Sequence, residues 1–236
     1  MKIIGIMNTL KIKNDNEPYD CYYKFIKLYA DRIKENGCLP VGILDTDDLS
    51  IYDGIILPGG NMIREDHYKV IDYCIKHNIP CLGICMGMQA MVLYDYLMHL
   101  CKQDKLDVSM NDLVNKYEEL AKQGNYILRK FACHGGELSS GTIDATFDNV
   151  LNSKHSINIK KDTFLDEIYH TDKLGVVSMH NYGYDGLVND FEVVATSNDH
   201  VVEAISHKNT FIWGVQFHIE VEKDNKVLKT FLNKIK

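Results

Sequence analysis

The sequence predicts an α/β protein: an open, mostly parallel sheet with helices on both faces, an inserted helical segment and a smaller antiparallel strand set. Three observations predict it. Strand and helix signals alternate over roughly the first hundred residues, the pattern of right-handed βαβ units. The early strands are short apolar runs without polar alternation, as strands covered on both faces are. The second half is rich in strand signals and closes on a helix.

Taken in order, Ile3 to Met7 reads as a central parallel strand. A polar loop follows, Asn8 to Pro18. Tyr22, Phe25, Ile26, Tyr29, Ala30 and Ile33 then recur at three and four residues, an amphipathic helix ended by Gly37. Leu39 to Leu44 is a second strand, with Pro40 as an irregularity at its start. Gly54 to Leu57 is a third, stopped by Pro58-Gly59-Gly60. A helix from about Glu65 to His77 leads to a fourth strand, Ile79 to Cys85, and a helix beginning near Met86. Residues 96–123 are polar and helix-prone, and the stretch 96–135 reads as an inserted helical hairpin or lid. Strands are expected at Ser156–Ile159, Val176–Met179, Phe191–Thr196, Val201–Ile205 and Phe211–Phe217, then a closing helix from Val221 to Ile235. With no repeat, linker or low-complexity tract, residues 1–236 read as one domain.

Composition narrows the function. A chain with 45% hydrophobic and 25% charged residues can bury a core without staples. Its net charge of -7 and the lack of a basic stripe argue against nucleic acid. No apolar run reaches membrane-spanning length, and Met1 to Met7 is too short for a signal-peptide core. Seven cysteines, with no CxxC pair, suggest reduced thiols in the cytoplasm. Cys81 and Cys85 lack a second pair of ligands, so no zinc site is expected. Cys21, Cys38, Cys74, Cys81, Cys101 and Cys133 read as inert packing.

Cys85 differs. In Gly83-Ile84-Cys85-Met86-Gly87-Met88-Gln89 it falls where a buried strand turns straight into a helix. Open α/β sheets place their sites at such carboxyl ends of strands. The helix N-terminus, aimed at the sulfur, favours the thiolate, which is the reactive form. Gly83 and Gly87 permit a tight turn and close packing of helix on strand. The Met86 N–H is then placed for an oxyanion.

Such a nucleophile needs a base and a group to orient it. His218 ends the apolar run Gly214-Val215-Gln216-Phe217, and Glu220 lies two residues on. On a strand those two side chains share a face, so Glu220 could hold the imidazole of His218. Gly59 and Gly60 suit a second oxyanion donor. A phosphate loop is the rival reading there, but no Lys-Ser/Thr follows.

On these residues the chain resembles the class I glutamine amidotransferase superfamily. The match rests on Leu57-Pro58-Gly59-Gly60, the run Gly83 to Gln89, and Gly214 to Glu220, and it spans nearly the whole chain. The resemblance implies a flavodoxin-like fold and a triad of Cys85, His218 and Glu220. It implies an oxyanion hole from the backbone N–H groups of Gly60 and Met86, and substrate contacts from Gln89 and Gly59. Within the superfamily the chain looks most like the γ-glutamyl hydrolase branch, which includes γ-glutamyl-γ-aminobutyrate hydrolases. Gly37 to Val41, Val177-Ser178-Met179-His180, and Val201 to Ile205 carry that likeness, and His180 is a further candidate for the substrate site. The resemblance implies no cofactor and no metal, and a small γ-glutamyl substrate.

Three departures stand out. Ile219 replaces the usual Pro between His and Glu. The loop after Gly60 is short. The stretch 96–135 looks inserted. The expected activity is hydrolysis of a γ-glutamyl amide through a Cys85 thioester. Its rival is a glutaminase subunit that supplies ammonia to a separate synthase. A non-catalytic relative would show a broken triad, and a serine hydrolase would need a GxSxG.

Overall fold

The computed structural model describes residues 1–8, 19–60, 62–105, 107–134, 153–222 and 224–236, with backbone alone at 19–26 and 132–133. In chain order the strands are β1 (Ile3–Met7), β2 (Leu39–Ile43), β3 (Gly54–Leu57), β4 (Cys81–Ile84), β5 (Arg129–His134), β6 (Lys154–Ile159), β7 (Lys173–Val177), β8 (His180–Gly183), β9 (Phe191–Ser197), β10 (Val202–His207) and β11 (Ile212–Val215). The helices are α1 (Tyr19–Glu35), α2 (Glu65–His77), α3 (Met86–Asp104), α4 (Met110–Lys122), α5 (Phe164–Tyr169) and α6 (Lys226–Lys234). A 3-10 turn spans Ile219–Val221. The polar loop expected up to Pro18 lies, from residue 9, outside the described residues.

Nine strands form one sheet in the order β2-β1-β3-β4-β11-β10-β9-β6-β7. Its first half, β2 to β11, is parallel throughout. The antiparallel strands β10, β9, β6 and β7 extend the same sheet. A separate ribbon pairs β5 with β8. The chain is thus α/β, with helices on both faces of the parallel half. Alternation along β3 shows it: Ile56 faces the core under α1, α5 and α6, while Ile55 and Leu57 face the core under α2, α3 and α4. That is why these strands read as unbroken apolar runs.

Several boundaries differ from the sequence expectation. Pro40 sits inside β2, paired in register with Ile4, because β2 is the sheet edge and one side needs no ladder N–H. Val176–Met179 is not one strand: β7 ends at Val177 and β8 starts at His180. β11 stops at Val215, short of Phe217. The closing helix begins at Lys226, not Val221, because the 3-10 turn intervenes. Residue 96, the expected start of the insertion, lies inside α3, whose apolar positions run on through Leu97 and Cys101. Among the described residues no helix is long and apolar enough to cross a membrane.

The start of α2 carries a pH-dependent element. His67 is fully buried, and its Nδ1 accepts the Arg64 backbone N–H at 3.1 Å. Burial, then the Arg64 charge, push its pKa down to about 4. The unfolded chain therefore takes up a proton near pH 6.5 that the folded chain refuses until about pH 4. This stability is full above pH 6.5 and drains away as the pH falls towards 4. It amounts to roughly 3 kcal/mol. Denaturant unfolding across that window should show the slope, and His67→Asn, which keeps an acceptor but cannot titrate, should flatten it.

Candidate active site

The geometry begins with the turn at Cys85. Its N–H donates to the Val215 carbonyl at 2.8 Å, carrying the β4–β11 pairing one residue beyond the strand. α3 starts at the next residue, and Cys85 takes φ 51 and ψ -108 to make the turn. A non-glycine residue held at positive φ is strained by about 1–3 kcal/mol. Glycine carries no such strain, so Cys85→Gly should be more stable than Cys85→Ala by about 1 kcal/mol, the reverse of the usual order. Equal thermal midpoints for the two variants would count against strain at this turn.

The turn also requires that α3 lie hard on the sheet. A Cβ at Gly87 would sit 2.1 Å from the Leu57 carbonyl oxygen. The first N–H groups of α3, including that of Met86, have no carbonyl four residues back within the helix. They put the partial positive charge of a helix N-terminus next to Cys85 in the chain.

His218 comes from the segment after β11. Its backbone N–H donates to Val177 O at 2.7 Å. Its Nδ1 lies 2.7 Å from Glu220 Oε1, and Glu220 is fully buried. The sequence argument for this pair, two residues sharing a strand face, does not hold. The strand has ended, and the 3-10 turn at Ile219 folds the carboxylate back onto the ring. Ile219 itself is buried in the core beneath α6. Burial works against protonation of His218, but the Glu220 carboxylate and the hydrogen-bonded Cys85 sulfur outweigh it and hold the ring well above its ordinary pKa. The ring is thus suited to holding a proton beside the Cys85 sulfur.

Gly59 lies against both His218 and Cys85. A Cβ there would lie 3.2 Å from His218 Cε1 and 3.4 Å from Cys85 Cβ. Its N–H donates to the Tyr29 hydroxyl at 3.3 Å. Gly60, next in the chain, lines the cavity beside Cys85 and Met86. Sequence reasoning missed Tyr29, which occupied an ordinary core position in an amphipathic pattern. Burial, then the Glu220 carboxylate, keep its hydroxyl well above a tyrosine's usual pKa. Arg32, one helical turn on, donates from Nε to the Glu220 carbonyl at 3.3 Å. α1 therefore braces the turn that carries Glu220.

Cys85, Gly60, Met86 and Gln89 line one cavity of about 720 Å³. Tyr68, Tyr117, Tyr126 and Leu128 give its lining an aromatic and aliphatic part, and Arg64 and Glu65 a charged one. The Gln89 amide nitrogen donates to Tyr182 O at 2.7 Å and to Gln216 Oε1 at 3.2 Å. His180 borders the cavity, and both its nitrogens face protein groups. Nδ1 lies 3.0 Å from Tyr182 O, and Nε2 faces Glu203 at 3.6 Å. Cys38, Cys74, Cys81 and Cys101 are buried and free, as the sequence suggested; the side chains of Cys21 and Cys133 lie outside the described residues.

Known proteins share this plan. The family profile described as glutamine amidotransferase class-I matches residues 17–235. A glutamine amidotransferase-like protein of Rickettsia prowazekii is 25% identical, the match covering 87% of this chain and 85% of that protein. A CTP synthase of Geotalea uraniireducens is 27% identical over 85% of this chain, but the match covers only 35% of the synthase. The glutaminase domain of Trypanosoma brucei CTPS shares the fold, with a TM-score of 0.64 at 17% identity, covering 99% of this chain and 92% of that one.

Proposed function

The chain belongs to the class I glutamine amidotransferase family, and from that premise we propose that it hydrolyses the γ-glutamyl amide bond of a glutamine-like compound and releases glutamate. One observation carries the reading. A cysteine held at a strained strand–helix turn is hydrogen-bonded to a buried His–Glu pair at the wall of a cavity.

The steps follow from those groups. The Cys85 thiolate attacks the γ-carbonyl carbon, and the carbonyl π electrons move onto oxygen. The N–H groups of Gly60 and Met86 receive that oxyanion, each such donor contributing about 3–4 kcal/mol to transition-state stabilisation. The His218 imidazolium gives its proton to the leaving nitrogen as the C–N bond breaks. The γ-glutamyl thioester remains on Cys85. Neutral His218 then takes a proton from water, hydroxide adds to the thioester carbon, and the C–S bond breaks to return the thiolate. Glu220 keeps the ring oriented through both stages.

The cavity bears on the leaving group. A volume of about 720 Å³ belongs with pockets for whole small-molecule ligands, and it must take the γ-glutamyl part together with its leaving group. Its aromatic side supports a γ-glutamyl amine with an organic leaving group, as in the γ-glutamyl hydrolase branch. The synthase relatives favour a second reading, in which the chain hydrolyses glutamine and passes ammonia to a separate synthase.

Glutamate release should be measured with glutamine, γ-glutamyl-γ-aminobutyrate, other γ-glutamyl amines and a short γ-glutamyl peptide. Fast turnover of a γ-glutamyl amine and little of glutamine supports the stand-alone hydrolase. Slow turnover of glutamine alone moves the assignment to the ammonia-supplying subunit. Turnover of none by the folded chain contradicts both. Gly59→Ala, which sets a methyl group against His218 and Cys85, should lower kcat by about 10-fold or more with a smaller change in KM, as displacement of catalytic groups does.

A further inference from the structure

Away from Cys85, three histidines and a glutamate from four strands meet behind the cavity wall. They are His134 of β5, His155 of β6, His180 of β8 and Glu203 of β10, with ligand atoms all within 4.8 Å of one another. Glu203 is fully buried, and the side chains of His134 and His180 are more than nine-tenths buried.

With neutral rings, the polar atoms of this cluster do not all find partners among the described residues. His155 Nε2, His180 Nε2 and Glu203 Oε2 are buried with no hydrogen-bond partner among the described residues. His180 Nδ1, 3.0 Å from the Tyr182 carbonyl, must carry the proton, because a carbonyl can only accept. In the neutral ring the Nε2 lone pair then faces Glu203 Oε1 at 3.6 Å, acceptor against acceptor. Groups left this way in an interior cost free energy that positive charge among them relieves, whether a proton on a ring or a metal ion held by all four.

We propose that His134, His155, His180 and Glu203 form a site for one zinc-like divalent metal ion. Three imidazole nitrogens and one carboxylate suit zinc, cobalt or nickel, whereas magnesium and calcium prefer oxygen ligands. In a tetrahedron with bonds of about 2.0–2.1 Å the ligand atoms stand roughly 3.3 Å apart. Glu203 Oε1 lies 3.1 Å from His134 Nδ1 and 3.6 Å from His180 Nε2, and its Oε2 lies 3.6 Å from His155 Nε2; the four ligand atoms, all within 4.8 Å of one another, would draw in around an ion.

Two ligands also have the outer partners that metal-binding histidines use to fix their tautomers. His134 Nε2 lies 2.8 Å from Asp199 Oδ2, which frees Nδ1 for the metal. His180 Nδ1 is held by Tyr182 O, which frees Nε2. The His155 side chain, 17% exposed, gives a route in from solvent. Four protein ligands leave no open position, so the ion would be structural. It would fasten the β5–β8 ribbon to the main sheet, and with it the Tyr182 carbonyl that accepts from Gln89.

The untagged chain, stripped with chelator, should be titrated with zinc and with cobalt(II) as a spectroscopic probe. One ion per chain is expected, with the intense visible absorption of tetrahedral cobalt and a raised thermal midpoint. His155→Ala and Glu203→Gln should each weaken binding at least 100-fold, while His99→Ala, at an exposed site on α3, should not. Should Glu203→Gln fail to fold, the partly exposed His155 still serves. Folded, stripped chain that binds neither ion, binding unchanged in His155→Ala, or an octahedral cobalt spectrum would overturn the assignment. Activity is not the readout, so the outcome is independent of the catalytic reading.

Discussion

Cys85→Ala is expected to lower γ-glutamyl amide turnover by about 10⁶-fold while leaving the chain folded. The covalent route has no substitute at this position. Gly59 and Gly60 offer only backbone, Tyr29 is held fully protonated, and the other described cysteines are buried elsewhere in the core. His218→Ala should cost nearly as much, because the thiolate then loses its charge partner and the leaving nitrogen its proton donor. The double variant should be no worse than either single one, since the groups act as a unit. Glu220→Gln should fall between, about 10³–10⁴-fold down, by analogy with loss of the orienting acid in other triads. Steady-state glutamate release by the four proteins checks this ranking. A Cys85→Ala enzyme within 10-fold of the parent would remove the nucleophile.

Gly87→Ala should be among the most destabilising single-methyl additions available in this chain. The new Cβ meets backbone, the Leu57 carbonyl oxygen at 2.1 Å, and not the end of a flexible side chain. Relief requires α3 to lift off β3. That would disturb Leu57, Met88 and Met91, all fully buried in one core. Overpacking of this kind costs about 3 kcal/mol or more. For a chain of this size that lowers the thermal midpoint by roughly 6–12 °C. Turnover should fall as well, because the start of α3 carries both the Met86 N–H and the Cys85 turn. An unchanged midpoint would mean that the helix does not sit as closely on the sheet as described.

Much of this was legible because it is written locally. A strand, a small-residue turn and a helix around Cys85 are contiguous, and unbroken apolar runs mark strands covered twice. The pairing of His218 with Glu220 was legible in identity but not in cause, since periodicity cannot show that β11 ends at Val215 and that a 3-10 turn does the folding back. Tyr29 gave no signal, because a tyrosine on the apolar face of α1 looks the same whether it merely packs or also meets Gly59 and Glu220. Buried Asp95 was equally silent in the middle of α3, yet it accepts the N–H groups of Asn189 and Asp190 at 2.6 and 2.8 Å and anchors the entry to β9.

The histidine cluster was the least legible feature. His134, His155, His180 and Glu203 are spread over four segments with no ligand spacing among them. They meet because β6 lies between β9 and β7, and because β8 leaves the sheet to pair with β5. His180 illustrates the difficulty: the run Val177-Ser178-Met179-His180 pointed to the substrate site, and His180 does border the cavity, but no residue spacing told of the contacts of its nitrogens with Tyr182 and Glu203.

The central claim is a γ-glutamyl thioester on Cys85. The chain should be mixed with the best γ-glutamyl amide of the panel, quenched in acid within the first turnovers, digested and analysed by mass spectrometry. The account predicts one γ-glutamyl group on the peptide that holds Cys85, absent from Cys85→Ala and discharged when quenching is delayed past substrate exhaustion. Rapid glutamate release with no acyl group on that peptide at any quench time, or with the acyl group on another residue, would contradict it.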